Sequence, residues 1–443
     1  MAQNIMYITD TELAGDLKNL YQDIRQDLVP IVTPLLSAIK KRENNGIGNV
    51  QWGGNNMHFD VVTQPEVNWS WSTTGQLPYS SQAKEVQGNV GIARFYITRA
   101  FDRLPIVGTQ TKEMAFISLR EKITRAFAQG YQLGMQEALH GNATGVKAII
   151  ITAATTVSIV VEKPYGVTGA GQGGLWLKPG MYVTAYDATG VTNRGTAQIS
   201  AVGNVLTSAT GVCTLTLATG ISNMAATDLI VQANQSGDAL NAYCNGLINI
   251  TNRGGAYTTL HALSAATYGR WDATKYTAGT QVGPTCEEMD IWTLATDLFA
   301  KSGMNATVNP SEYLIVTTFG IGKQLIQSVL GQRTMPVSGS QKIKLPNGYE
   351  CETILGIPLV MDPYCPLGTL YLLHLPSLFW VDALDWSPVQ YESSGTVRFV
   401  AGQDAFEISM AQYLNVGTKQ RNAHGSIISY TDSQAYNWNV SNG

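Results

Sequence analysis

At 443 residues the chain is long enough for two to three domains with real hydrophobic cores. Charged residues make up 14% of it, well below the roughly 25% of a typical soluble protein, and so charge-poor a surface suits burial against other copies. The net charge of −4 argues against a protein whose main task is gripping nucleic acid, though not against weak contact of one face with a polyanion.

Cys213, Cys244, Cys286, Cys351 and Cys365 are widely spread, with no CxxC pair and no His at zinc-like spacing. Neither a structural metal nor a disulfide framework is expected. The start, MAQNIMYITDTELAG, lacks a basic region followed by an apolar run, so no secretory signal is read. No run of eighteen apolar residues occurs, and no membrane span or membrane partner is expected. Synthesis and assembly in a reducing cytoplasm follow as the expectation.

In chain order, Thr9 to Glu12 reads as a capping box. Leu13, Leu17, Leu20, Ile24 and Leu28 form a narrow apolar stripe that Pro30 ends, and a second helical piece from Leu35 closes in Lys40-Lys41-Arg42. This arm has no partner within itself, so it must lie on its own body or on a neighbour. In residues 46–105, Met57, Phe59 and Val61 alternate with polar residues, as do Ala93, Phe95 and Ile97, predicting two strands. Between them runs a long polar stretch holding Pro65, Trp69, Trp71, Pro78 and Tyr79. A hairpin of two strands is marginal in water, and exposed aromatics want cover. The region reads as a long arm that docks on another subunit.

Thr111 to His140 is the stretch that organises the rest. It lacks Pro, and Phe116, Leu119, Ile123, Ala126 and Phe127 recur at three- and four-residue steps, continued by Gly130, Gly134 and Ala138. Thr111 can cap its front and Gly141-Asn142 supplies a stop. About 28 residues give a rod of ~42 Å, more than twice an ordinary globular helix, with a long core helix of a large enzyme as the other reading. Gly130 and Gly134 sit one turn apart and cost helix propensity, which predicts a groove for close approach of another backbone.

From 148 to 235 short β-branched runs alternate with Gly and Asn turns: Val157–Val161, Tyr182–Tyr186, Thr196–Ala201, Cys213–Leu217 and Leu229–Gln232. This predicts a small all-β barrel or sandwich, inserted because mixed patterns resume afterwards. From Gly237 the pattern is α/β, with helices at Asp238–Asn249, Cys286–Ser302 (a Thr285–Glu288 capping box and Gly303 as stop) and Lys323–Leu330. Strands are expected at Tyr313–Thr318, Leu359–Met361, Leu370–His374, Gln390–Glu392, Thr396–Val400 and Glu407–Leu414.

Motifs that carry chemistry are weak. Gly166-Val-Thr-Gly-Ala-Gly-Gln-Gly-Gly174 precedes a strand-like segment, so the dinucleotide fingerprint fails and a flexible loop is the reading. Gly320-Ile-Gly-Lys323 has Thr317 where a P-loop begins with Gly and Gln324 where it ends with Ser or Thr. It reads as a strand-to-helix turn. Glu287, Glu288 and Asp290 are expected to favour a helix dipole before any metal. Neither GxSxG nor HExxH occurs, and none of His58, His140, His261, His374 and His424 sits beside a nucleophile in sequence. No catalytic, cofactor or metal site is assigned, and an enzyme is not expected.

The segment Ile354-Leu-Gly-Ile-Pro-Leu-Val-Met-Asp-Pro-Tyr-Cys-Pro-Leu-Gly-Thr-Leu-Tyr371 with Leu378-Phe-Trp380 resembles the late apical-domain segment of tailed-bacteriophage major capsid proteins. So do Gly402-Gln-Asp-Ala-Phe-Glu through Tyr413 and Arg421-Asn-Ala-His-Gly425, while Leu177-Lys-Pro-Gly-Met with Tyr186-Asp-Ala and Gly195 looks like the β insertion of some of them. The order of elements is similar to the Hong Kong 97-like fold over nearly the whole chain. The resemblance implies an α+β fold with an N-terminal arm at 1–45, an extended loop at 46–105 and a spine helix opening the peripheral domain at 106–147. An inserted small β-barrel domain follows at 148–236, then an apical domain at 237–384 and the peripheral return and tail at 385–443.

It further implies a major capsid protein self-assembling as hexamers and pentamers into an icosahedral shell that encloses double-stranded DNA. Such a protein is built in the bacterial host cytoplasm and resides in the virion, with scaffolding, portal and decoration proteins as partners and weak non-specific contact with DNA. The expected subunit-interface residues are Trp69, Trp71, Tyr79, Lys84, Leu13, Leu17, Leu20, Gly130 and Gly134. Arg120, Lys122 and Arg125 are the expected inward basic patch, or else pair within the helix. Some relatives join an extended-loop Lys to a neighbour's Asn; here Lys84 with Asn415 or Asn422 would be the pair, against a merely solvated Lys84. An encapsulin-like compartment and a carbohydrate-active enzyme with a β module are the alternatives.

Overall fold

The computed structural model describes residues 56–64, 83–102, 112–153, 155–162, 176–203, 213–233, 240–253, 257–332, 350–389, 397–400 and 404–432. Shorter pieces are described at 35, 38–39, 41–42, 51–53, 71, 73, 77, 174 and 343–344, and the side chains of 41–42, 51–53, 101–102, 112–125, 329–332, 343–344, 350–351, 385 and 397 lie outside the description. The capping box at Thr9, the apolar stripe from Leu13 to Leu28, the Thr111 cap and the strand at 390–392 also lie outside it.

The chain divides into two compact units, the first made of Met1–Thr33, Ala93–Met135 and Asp382–Leu414 and the second of Pro34–Ile92, Gln136–Val381 and Asn415–Gly443. The helix that the 3.6-residue period predicted is present as α1 (Lys112–Leu139). Its end is closed by the Gly141 N–H donating to Ala138 O at 3.0 Å.

In the first unit β5 (Ala93–Asp102) runs antiparallel to the ten residues 405–414 of β22 (Ala405–Thr418), from Ala93 opposite Leu414 to Asp102 opposite Ala405. The alternation of strand residues sends Phe95 and Ile97 toward Gly134 and Gly130 of α1. The other face carries Tyr96, whose Oη is 3.1 Å from Tyr413 Oη, and Thr98, bonded to Ser409 at 2.9 Å. The short β21 (Val397–Phe399) pairs with β22, and Arg398 spans to the buried Glu407 at 2.8 Å.

The second unit holds a three-stranded sheet, a closed barrel, a two-stranded hairpin and a seven-stranded sheet. β3 (Asn56–Gln64) lies between β2 (Gln51–Gly53) and β4 (Lys84–Gly91). This corrects the expected hairpin: the strand around Phe59 pairs with 84–91, and the strand around Phe95 pairs with the C-terminal β22 instead. Phe59 covers Gly88 directly opposite, where a Cβ would come within 2.6 Å of the ring. Met57, Phe59 and Val90 then form a core with Leu263, Trp271, Phe379 and Val381. A second correction concerns Lys41–Arg42, which does not end a helix. Leu35 and Ala38 are helical, but Lys41 and Arg42 form β1, parallel to Trp380 and Val381 of β20 (Leu378–Pro388).

Residues 146–232 close into a six-stranded barrel of β6 (Val146–Ala153), β7 (Ser158–Glu162), β8 (Tyr182–Tyr186), β9 (Asn193–Val202), β10 (Cys213–Leu217) and β11 (Leu229–Gln232), in the order β10-β7-β6-β11-β8-β9. The sequence Cys-Thr-Leu-Thr-Leu alternates buried and exposed along β10, as a barrel wall requires. Ile159, Val161, Leu177, Ile199 and Leu215 fill the interior.

After the barrel, residues 240–246 are not helical, and the predicted helix at 238–249 is reduced to α2 (Leu247–Thr251). Gly246 explains this: any Cβ there would meet the Ala138 and Gly141 carbonyls at 2.6 and 2.3 Å, so the chain passes too close to α1's end to coil. A tight hairpin follows, β12 (Thr259–Leu260) and β13 (Leu263–Ser264), turning through His261 and Ala262 at φ 55° and 63°.

A seven-stranded sheet completes the unit, in the order β14-β23-β19-β15-β18-β17-β16. Its members are β14 (Thr274–Thr277), β15 (Tyr313–Thr317), β16 (Ile343–Lys344), β17 (Glu350–Ile354), β18 (Ile357–Met361), β19 (Leu370–His374) and β23 (Gly425–Ile428). The all-buried runs of β15 and β19 are what central strands covered on both faces need. Ile291, Leu294 and Leu298 of α3 (Glu288–Ser302) and Ile321 and Leu325 of α4 (Phe319–Gln332) pack on it. The α3 cap also differs from expectation, since Glu287, not Thr285, leads the helix and its N–H donates to Asp290 Oδ2 at 3.1 Å. Gly303 ends it as predicted, at φ 75° with its N–H on Phe299 O.

Candidate assembly surface

Large apolar side chains left in water mark where further surface is to be covered. In the 46–105 region Trp71 is 94% exposed and Leu77 is 91% exposed. Trp69 and Tyr79 lie outside the described residues, as do Leu13, Leu17 and Leu20. Leu77 was missed in the sequence because a single apolar residue beside Pro78 has no periodic partner to flag it. Lys84 is exposed at the start of β4, where its carbonyl accepts from Thr63 Oγ1 at 3.0 Å. Met289, Trp292 and Phe299 form a second exposed set on α3, on the face opposite its buried Leu294 and Leu298.

Gly130 and Gly134 are filled inside the subunit. A Cβ on Gly134 would lie 2.8 Å from Phe95, and one on Gly130 3.3 Å from Ile97. The groove therefore receives two side chains of the same chain. Arg120, Lys122 and Arg125 belong to α1, but their side chains lie outside the described residues.

Chemistry-bearing groups are placed for structure. Asn415 is buried, its Nδ2 donating to Gly91 O and its Oδ1 accepting the Asn245 and Val416 N–H groups at 2.8 Å each. Asn422 donates to Lys301 O at 3.3 Å. Gly322 belongs to α4, and a Cβ there would come within 2.6 Å of Met361 Sδ, so this glycine serves close packing. The Gly166–Gly174 run lies outside the described residues apart from Gly174. Asp290 accepts the Tyr430 hydroxyl at 2.9 Å besides the Glu287 N–H.

The fold does bring one His to hydroxyls that sequence spacing did not reveal. His424 Nε2 lies 3.0 Å from Ser377 Oγ and 2.8 Å from Thr418 Oγ1, while Nδ1 accepts the His374 N–H at 3.2 Å. That acceptor role puts the ring proton on Nε2, and Ser377 gives its own proton to His374 O. Burial, with His374 and Arg421 nearby, lowers the His424 pKa to about 3. All three side chains are buried, so the set carries no substrate-facing nucleophile.

His140 Nε2 likewise meets Asp362 Oδ2 at 3.0 Å, and Gln136 donates to that same oxygen. Burial pushes the Cys213 thiol up to about 11 and Cys244 to about 12, the reverse of a reactive cysteine. Among the described residues no three His, Cys, Asp or Glu side chains are grouped to hold a metal.

No protein-family model matches the chain, and no curated protein does. Among solved structures, the capsid asymmetric unit of cyanophage A-1(L) is similar with a TM-score of 0.53 at 14% identity, covering 96% of this chain and 99% of that one. The SrpI encapsulin complex of Synechococcus elongatus PCC 7942 gives a TM-score of 0.44 at 8% identity, with 97% and 99% covered. Mycobacterium phage Bobi gives 0.42 at 10% identity, with 96% and 99% covered. The likeness to the cyanophage subunit shows the fold: this chain has the α+β fold of a phage capsid subunit along nearly its whole length.

Proposed function

We propose that the protein is a major capsid protein of a tailed phage, whose copies close into an icosahedral shell around double-stranded DNA. The observation that carries this reading is the end-to-end likeness in fold to the cyanophage capsid subunit. The exposed Trp71 and Leu77 support it, being apolar groups with no cover in their own subunit. On this reading the fold is of the Hong Kong 97-like kind. Residues 1–45 are the arm, 46–105 the extended loop, 106–147 with 385–443 the peripheral domain around the spine helix, and 237–384 the apical domain. The barrel at 148–236 is an insertion that leaves the rest of the pattern intact. The function is mechanical: α1 stiffens the subunit, and the loop and arm lie across neighbours in hexamers and pentamers. Scaffolding, portal and decoration proteins are the partners of such a shell, the inner surface meets DNA weakly, and the location is the virion, after assembly in the host cytoplasm.

Electron microscopy of the protein expressed alone and at high concentration tests the reading. Closed shells of uniform diameter are expected. A well-ordered single copy that never associates would overturn it, and shells holding a protein cargo without DNA in the native source would replace it by a compartment.

A further inference from the structure

Three adjacent strands of the seven-stranded sheet place Lys275 (β14), Ser426 (β23) and Tyr371 (β19) side by side, since Ser426 is the registered partner of both others. The end of α2 covers this row with Thr251 and Asn252, and a cavity of about 10 Å³ remains among these five residues and Thr369. The side chains that line it include polar atoms left unsatisfied within the protein. Tyr371 Oη and Asn252 Oδ1 are buried without a protein partner. Thr251 has given its hydroxyl proton to Leu247 O at 2.8 Å, and Ser426 has given its own to Thr251 O at 3.3 Å. Their oxygens therefore present lone pairs. Burial and the neighbouring Arg253 lower the pKa of Lys275, and no carboxylate offsets them.

A ligand here has to accept from Tyr371 and Lys275 while donating to Asn252. Among ligands as small as one water, a monatomic anion cannot donate and a metal cation cannot accept. A cavity of this size holds about one water, which needs two to four polar partners. We propose that the cavity binds one structural water, accepting the Tyr371 O–H and a Lys275 N–H and donating to Asn252 Oδ1. It joins α2 to the sheet and hydrates a half-buried ammonium that has no carboxylate partner among the described residues.

The test uses the full chain. In an experimental map at high resolution, one spherical peak should lie about 2.7–3.0 Å from both Tyr371 Oη and Asn252 Oδ1. Tyr371→Phe should abolish that peak and lower Tm by about 1–3 °C. A dry cavity predicts the reverse, because removing an unsatisfied buried hydroxyl leaves Tm unchanged or raises it. An empty wild-type map, or an anomalous peak at this position after bromide exchange, overturns the proposal. The wild-type map decides alone should the variant fail to fold.

Discussion

Gly134 of α1 faces the ring of Phe95, and a methyl group added there would sit 2.8 Å from Cε2 and 2.9 Å from Cζ. The ring cannot step aside. Its centroid lies 5.7 Å from that of Tyr131 and 6.2 Å from that of Trp386, and those two are 4.8 Å apart. Gly134→Ala should therefore destabilise by about 1–3 kcal/mol through overpacking. Gly130→Ala meets only the mobile end of Ile97 at 3.3 Å, and a helix-propensity gain of up to about 1 kcal/mol offsets the contact. Thermal unfolding of the two variants side by side checks this; equal effects would contradict it.

The buried Lys147 of β6 reaches Glu137 of α1 at 2.5 Å, with Lys178 at 3.6 Å on the other carboxylate oxygen and the Tyr243 ring 5.3 Å from Lys147 Nζ. Removing Lys147 leaves the buried Glu137 carboxylate to the half-exposed Lys178 at 3.6 Å. Lys147→Met should cost about 3–5 kcal/mol, and adding Glu137→Leu should recover most of it. A double-mutant cycle in denaturant reads the coupling.

Acid should weaken the fold before its carboxylates titrate. His261 and His424 are buried, and burial foremost lowers the pKa of each from 6.5 to about 3. Between those values the unfolded chain binds protons that the folded chain refuses, so stability falls as pH drops below 6.5 and is unaffected above it. His261 accepts the Thr418 N–H at 3.2 Å, an acceptor role that Gln can copy. Tm measured from pH 7.5 to 5 should fall for the native chain and less steeply for His261→Gln.

Trp71 and Leu77 make a prediction that separates assembly from folding. Replacing both by Ser should leave the unfolding of single subunits unchanged while lowering the yield of closed particles at least several-fold. Normal particle yield would remove these residues from the interface.

The elements readable from sequence were those with a strong local period. The helix through Phe127, the barrel strand Cys213–Leu217 and the buried run Tyr313–Thr317 all lie where spacing puts them. Pairing was not readable. Lys84–Gly91 looks polar because Gly88 leaves the inward position to Phe59, and β5 finds its partner more than 300 residues later. The His424 cluster was equally hidden, because Ser377 lies 47 residues away and nothing local ties it to a ring nitrogen. The likeness of the late segments to capsid proteins carried what periodicity lacked.

The barrel's first and last strands are hydrogen-bonded neighbours, with Val231 opposite Val146. The polypeptide thus leaves the barrel about one strand spacing, ~4.8 Å, from where it enters. A segment with so narrow a neck is exchangeable: a short turn or a foreign domain with closely spaced ends can be spliced between 146 and 231 without stretching the flanks. Such a graft would sever the ion pairs of Lys147 and Lys178 with Glu137, so a cassette that retains both lysines, or a host in which Glu137 has been neutralised, is the design to build.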